Sequence, residues 1–363
     1  MACPDGLGAG EDYVVEVRPR GGGGVLGSLS PESITWSRRL DDLSQAEIVL
    51  GLPNPRRPCT SAGPGMDCCQ VARELRTWGM EIHISRDGQK VWEGPIVHLD
   101  HRRDTLRVTA RDVLAWVGRR QVHNLMDFRP GGLGPADLSR IAEALIFDAL
   151  GPDDPNVLPF VTVFETGLTG ERLYGDKPRY ALDELNELAR TGVDYTVLGR
   201  RIIISGELGL TRLPVLTADD LLGELSVVED GLAAATRGVV VGGGVVGTCE
   251  QSDEFLGLLE QIATEDSILD QVSADAHACA IVDTGHPAPL YVDLPGAAQL
   301  ACNAPVCINE LVPGVLVPVL VGPDQMCRAV QSVLRLRSIE VSVNADGETV
   351  GVELAPIGAG EVT

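Results

Sequence analysis

The chain has 363 residues, enough for two or three domains that each bury a core. Apolar residues make up 44%, as in a folded globular protein, aromatics are sparse at 4%, and 52 acidic against 29 basic residues leave a formal charge of −23. So acidic a chain repels a polyanion at long range, which excludes a nucleic-acid reader, and no run reaches the ~18 apolar residues of a membrane helix.

The opening stretch MACPDGLGAGEDYVV lacks a basic segment followed by an apolar one, so no signal peptide is expected, and the chain is expected to be made and first kept in the cytosol. YVVEV and VLGSL then flank RPRGGGG and predict a hairpin. SITWSRRLDDLSQAEIVL adds two extended runs about a turn near Asp41 to Ser44. In EIHISRDGQKVWEGPIVHL, Asp87-Gly88 supplies the positive φ angles of a type I′ turn, and a loop of those residues sets Ile84 opposite Val91 and His83 opposite Trp92. DTLRVT is the next strand. TARDVLAWVGRR predicts a short helix opened by Thr109, with Asp112 three residues on and Val113, Leu114, Trp116 and Val117 facing a core.

Glycine, proline and polar residues dominate from residue 123 to 134 and mark a boundary. Beyond it the apolar period changes from two to 3.6. In GPADLSRIAEALIFDALGP, Leu138, Ile141, Leu145 and Ala149 recur at helical spacing, with Pro135 at the start and Gly151-Pro152 at the stop. RYALDELNELARTG predicts a second helix presenting Leu182, Leu185 and Ala189 and ending at Gly192. The hairpin DYTVLGRRIIIS completes a small α+β module.

The last region returns to strands, with LPVLTADDLL, GELSVVED and RGVVVGG as candidates, a helical stretch near Ser273 to Val282, and then LYVDL and GVLVPVLVG. IEVSVNADGETVGVEL closes the chain's regular structure. A turn at Asp346-Gly347 pairs Val343 with Val350, Val341 with Val352 and Ile339 with Leu354 on one face, and leaves Glu340 opposite Glu353 on the other.

Reacting groups are scarce. Gly242, Gly244 and Gly247 spell the glycine pattern of a dinucleotide-binding loop, but Glu250, Asp253 and Glu254 follow where a helix N-terminus would receive phosphate, and the flanking elements read as antiparallel hairpins. A tight turn between strands is the better reading. His277 and His286 bracket Asp283 and can be drawn as metal ligands, although scattered surface histidines are far commoner. The nine cysteines, at positions 3, 59, 68, 69, 249, 279, 302, 307 and 327, form no C-x-x-C pair and read best as buried free thiols. A bridge from Cys59 to Cys68 or Cys69, or between Cys302 and Cys307, stays open for a protein that ends outside a cell. Lys90 and Lys177 are the only lysines, so positive charge is nearly all arginine, often doubled as in Arg38-Arg39, Arg119-Arg120 and Arg200-Arg201. Arginine forks suit carboxylates at interfaces, and a GC-rich coding bias explains the same composition. No catalytic residue, cofactor or metal site is assigned, and the chain is read as a non-enzyme.

In order along the chain, SITWSRRLDDLSQAEIVL, CCQVARELRTWGMEIHISRDGQKVWEGPIVHL, RVTARDVLAWVGRR, LDELNELARTGVDYTVLGRRIII, VEDGLAAATRGVVVGGG and LLEQIATEDSILDQVSADAHA resemble the minor tail proteins of actinobacterial siphophages, in the tail hub or baseplate hub family. The resemblance runs from about residue 13 to residue 320. It implies an α+β, mainly antiparallel β fold: a first tube-like β-barrel domain (1–125), an α+β insertion (126–212) and a second barrel with an inserted helix (213–363). It also implies a virion part, a homotrimer whose ring adapts the sixfold tail tube and distal tail protein to a threefold tip. The implied partners are the distal tail protein, the tape measure protein and the receptor-binding proteins of the tip, with genome DNA passing through unread and no membrane segment. A tail-associated cell-wall hydrolase and a receptor- or glycan-binding tip protein are the alternatives.

Overall fold

The structure, a computed structural model, describes residues 7, 12–52, 73–152, 158–206, 212–229, 231–232, 234–265, 271–286, 288, 290–294, 297–323 and 329–356. The chain divides into two compact units. The first comprises Met1–Gly223, Gly296–Val317 and Arg335–Leu354, and the second Glu224–Pro295, Pro318–Leu334 and Ala355–Thr363.

The first unit opens with β1 (Tyr13–Pro19) and β2 (Gly27–Leu29), antiparallel with Val15 opposite Leu29. β3 (Ser33–Arg39) and β4 (Gln45–Gly51) form the next hairpin about Asp41 to Ser44, with Ile34 opposite Ile48. β5 (Met80–Arg86) turns into β6 (Gln89–His101), and β7 (Thr105–Arg111) lies between β6 and β4. Period two is visible in burial: Val15 and Val17, then Ala46, Ile48 and Leu50, then Leu106, Val108 and Ala110 all point inward.

The expected Asp87-Gly88 turn forms, with φ of 50° and 76°, but its register differs beyond the first pairs. A bulge after Ile84 sets Ile84 opposite Trp92 and His83 opposite Glu93. The extra residue lets adjacent Val91 and Trp92 both be buried, which strict alternation forbids.

The helix expected over TARDVLAWVGRR is α1 (Leu114–Val117) alone, because Thr109 to Arg111 are still paired in β7. Buried Asp112 rather than Thr109 organises its start, accepting from Leu114 N at 3.0 Å and from Ser44 N at 2.7 Å. The short strands β8 (Met126–Asp127) and β9 (Ala136–Asp137) lead into α2 (Leu138–Leu150), whose Leu138, Ile141, Leu145 and Ala149 are buried as expected. Asp137 caps it through Ser139 N at 2.9 Å.

After β10 (Phe160–Val163), β11 (Thr169–Gly170) and β12 (Leu173–Tyr174) comes α3 (Ala181–Ala189). Its inward face is Ala181, Leu185 and Leu188, with Leu182 and Ala189 half-buried at its margins, so the apolar stripe is rotated from the one expected. β13 (Val193–Leu198) and β14 (Arg201–Gly206) form the predicted hairpin, and β10 joins β14 in parallel. α1, α2 and α3 pack on β13 and β14 around Ile141, Leu145, Ile146, Tyr195 and Ile204.

β15 (Leu216–Thr217), a 3-10 turn and β16 (Leu221–Leu222) end this stretch of the first unit. In the second unit, β17 (Ser226–Glu229), β18 (Arg237–Gly242), β19 (Val246–Glu250) and β20 (Glu260–Glu265) precede α4 (Gln271–Gly285), which spans the helical stretch expected near residues 273 to 282, and β21 (Leu290–Asp293). β22 (Ala298–Leu300), β23 (Leu316–Val321), β24 (Val330–Asn344) and β25 (Gly347–Pro356) complete the order.

The fold is mainly antiparallel β with few helices. The main sheet runs β16-β22-β25-β24-β3-β4-β7-β6-β5-β1-β2, and β23 pairs with β24 and β15. Among the described residues this pairing is an open path and traces no closed barrel. Its centre joins the two ends of the chain: β24 lies antiparallel to β3, with Val341 opposite Trp36 and both fully buried. The closing turn is made by Ala345 and Asp346, one residue earlier than expected, and Glu353 meets Ser338 at 2.8 Å. The expected apposition of Glu353 with Glu340 is thereby corrected: a hydroxyl donor, not a second carboxylate, faces Glu353.

Candidate functional site

The charged residues that the sequence scatters along the first unit converge on two internal junctions. At one, Glu81 on β5 is almost fully buried and takes Arg200 Nη1 at 2.7 Å and Gly21 N at 2.5 Å. Arg200 occupies the β13–β14 turn and also lies 3.9 Å from Glu93, which receives Lys90 Nζ at 2.9 Å. The Trp116 ring sits between two guanidiniums, Arg20 at 5.4 Å and Arg200 at 5.3 Å. Burial pushes the Glu81 carboxyl above the ordinary range, against the pull of Arg200 and Gly21. The His83 imidazole is pushed down, first by burial and then by the nearby Arg18.

At the second junction, Asp41 adopts φ of 56° in the β3–β4 turn, a conformation Asp tolerates better than most residues. Its N–H donates to Tyr195 O at 2.9 Å, and its Oδ1 accepts from Tyr195 N at 2.9 Å. Thr196 Oγ1 donates to Arg39 O at 2.9 Å, and Arg335 pairs with buried Asp194. Burial, with Asp194 nearby, raises the Asp41 carboxyl to about 7. Burial likewise raises Asp112 to about 7. Such groups orient one element on another.

Of the doubled arginines, Arg38 is buried and donates to the backbone carbonyls of Ile308 at 3.1 Å and Val91 at 2.7 Å, while Arg39 meets Asp42 at 3.1 Å. Burial lowers the Arg38 guanidinium to about 10. Arg39 and Arg111 also line a polar cleft of about 220 Å³ with Asp42, Glu47 and Glu340 on the outer face of the main sheet.

In the second unit the glycine motif is the turn between β18 and β19, and Gly247 lies in β19 opposite Val240, with a strand where a phosphate-binding helix would stand. His286 Nε2 lies 2.7 Å from Asp253 Oδ2, while Asp283 is exposed on α4. Among the described residues no group of three or more His, Cys, Asp or Glu could hold a metal ion. Cys249 is bridged to Cys279, with Cα atoms 4.9 Å apart, a pairing that spacing does not reveal. Cys307 is also disulfide-bonded and Cys302 is free and exposed, which corrects the Cys302–Cys307 bridge and, at all four of these cysteines, the reading as buried free thiols. Cys3, Cys59, Cys68, Cys69 and Cys327 lie outside the described residues.

Both units carry uncovered apolar side chains: Leu133 and Phe160 in the first are 72% and 67% exposed, and Phe255 and Ile262 in the second 94% and 67%, with Leu258 and Val246 also exposed there. The loop that carries Phe255 is built rather than slack. Asp253 Oδ1 accepts from Phe255 N and Leu256 N, each at 2.7 Å. Exposed apolar groups on an organised loop mark an assembly surface better than a reaction centre. Among the described residues no helix is long and apolar enough to cross a membrane.

Three solved structures are similar to this chain in fold. The 43 kDa tail protein of prophage MuSo2 from Shewanella oneidensis matches with a TM-score of 0.62 at 13% identity, over 95% of this chain and 98% of that one. The chain has the fold of phage tail proteins. A tail protein from Neisseria meningitidis MC58 matches with a TM-score of 0.58 at 12% identity, over 94% and 96% of the two chains. Prophage tail protein gp18 from Listeria monocytogenes EGD-e matches at 0.57 and 10% identity, over 95% of each. No protein-family model matches the chain. No curated protein matches it in sequence.

Proposed function

We propose that this protein is a structural hub of a phage tail: three copies form a ring that joins the sixfold tail tube and distal tail protein to a threefold tip. The observation that carries this reading is the extent of the fold match, which covers about 95% of this chain and nearly all of three separate tail proteins. A match over single domains would leave the rest of the chain for another task.

The internal chemistry supports an assembling part. Buried ion pairs and arginine–carbonyl contacts hold the first unit in one arrangement, and exposed apolar side chains such as Phe160 in the first and Phe255 in the second await neighbours. A ring of head-to-tail contacts closes when the rotation per copy is a whole fraction of a turn. The tape measure and receptor-binding proteins are the further neighbours in this reading, and an actinobacterial siphophage is the source that the sequence segments favour. Two tube-like domains per chain would let three copies imitate six. The charge of −23 supports a wall along which DNA slides, since phosphate contacts are what make proteins adhere to it. The protein acts in the virion tail after assembly in the host cytoplasm.

Cryo-electron microscopy of the intact particle tests the reading. Three copies in one ring at the tail end are expected; six or twelve equivalent copies, or a position outside the tail, overturn it.

A further inference from the structure

In the second unit α4 is seated on the β18–β19 hairpin, with mostly small apolar side chains between them among the described residues. α4 lies against β18 and β19 so closely that a Cβ on Gly238 would fall 2.2 Å from Ala278 O, and one on Gly247 would fall 2.1 Å from the Ala274 carbonyl carbon. Among the described residues the core between them is Ala235, Val240, Ala278 and Ile281, with Cys249 and Ala263 at its margin. Such a core supplies little of the area-dependent stabilisation that normally holds a helix to a sheet.

What spans this interface covalently is Cys249 on β19 and Cys279 on α4, 30 residues apart. The segment they enclose contains the loop with exposed Phe255 and Leu258, and the whole of β20. Both cysteines are half-buried rather than enclosed. A bridge that closes a loop of this length stabilises by restricting the unfolded chain, independently of what the core contributes to the folded one.

We infer that the Cys249–Cys279 pair is a thiol–disulfide latch: oxidised, it clamps α4 to the β18–β19 hairpin and holds the Phe255 loop in shape; reduced, it frees both. The chemistry is exchange with a low-molecular-weight thiol of the glutathione class. A thiolate attacks one sulfur, the Cys249–Cys279 bond breaks, a mixed disulfide forms, and the other cysteine leaves as a thiolate that takes a proton. A second thiol resolves the mixed disulfide, so the protein gains two electrons and two protons while two small thiols become one disulfide. The cytosol keeps such a pair reduced and the medium outside a cell oxidises it. The latch therefore closes on leaving the cell in which the chain is made.

Hydrogen–deuterium exchange of the purified full chain, equilibrated with oxidised or with reduced glutathione, tests this. Residues 274–284 and the 251–259 loop are expected to exchange about tenfold faster or more in the reduced protein, while α2, in the first unit, stays unchanged as an internal reference. Cys249→Ser/Cys279→Ser is expected to exchange fast in both buffers. Equal protection of α4 in the two buffers for the wild type overturns the latch, as does thiol titration showing both cysteines still reduced after treatment with oxidised glutathione. Neither result depends on where in the particle the protein sits.

Discussion

Arg86 and Glu348, 262 residues apart, form a two-pronged buried ion pair: Arg86 Nε lies 2.8 Å from Oε2 and Nη2 lies 3.1 Å from Oε1. Tyr13 O–H donates to the same Oε2 at 2.5 Å. Strands from the start, the early middle and the end of the chain thus meet at one carboxylate. Removing one partner should leave an uncompensated buried charge. Arg86→Met is expected to lower stability by about 3–5 kcal/mol in urea denaturation, and Arg86→Met/Glu348→Leu to recover most of the loss. A single variant within 1 kcal/mol of wild type, roughly the worth of an exposed pair, contradicts the buried assignment.

The raised Asp41 carboxyl makes stability depend on pH with a definite sign. Its value is about 7 in the fold against the ordinary 3.8, so the folded state binds the extra proton between these limits. Stability from this group is therefore lost as pH rises through that interval, and levels off above about 7. Asp41→Asn keeps an acceptor for Tyr195 N and tolerates the positive φ. Denaturation curves across the interval should show wild type losing more stability with rising pH than the variant. Parallel profiles would place Asp41 in a wetter setting.

Gly247→Ala should disturb α4 where a comparable change in the neighbouring turn does not. The added methyl meets α4 backbone at 2.1 Å, whereas a Cβ on Gly244 has open space and only a φ of 98° to resist it. Overpacking costs about 1–3 kcal/mol and a strained turn residue about 1 kcal/mol. Proteolysis within 271–285 is expected to quicken more for Gly247→Ala than for Gly244→Ala. The opposite ranking would mean that α4 is not seated on the hairpin.

Asp137 holds three backbone donors: Ser139 N at 2.9 Å, Thr166 N at 3.2 Å and Gly167 N at 2.8 Å. Asp137→Ala is expected to cost about 2 kcal/mol, at the upper end for a helix cap, because it also unties the loop after β10. Asp137→Asn should recover part of this in thermal melts. An alanine variant that melts with the wild type would reduce the cap to a surface contact.

Elements held together by neighbours in the chain were legible. Alternating valines and isoleucines placed the early strands, the 3.6 period placed α2, and Asp87-Gly88 placed a turn, because these signals act over a few residues. Registers were less legible. Val91 and Trp92 are both apolar, and only a partner surface on each side could show that both are buried. The turn of the last hairpin slipped by one residue for a similar reason: β24 answers to β3 as well as to β25. The exposure of Phe255 left a fainter trace, since it reads in sequence like any aromatic.

By itself the sequence determined the kind of element at most positions, the absence of familiar reaction motifs, and an acidity that disfavours binding to DNA, since these rest on composition and short-range pattern. Tertiary structure alone decided that Glu348 would shelter Arg86, that burial, with Asp194 nearby, would raise Asp41, and that Cys249 would find Cys279. Each depends on chain segments 30 to 262 residues apart meeting in a setting where water is excluded. No local propensity encodes such a meeting, because its free energy comes from the desolvation and packing of the assembled core.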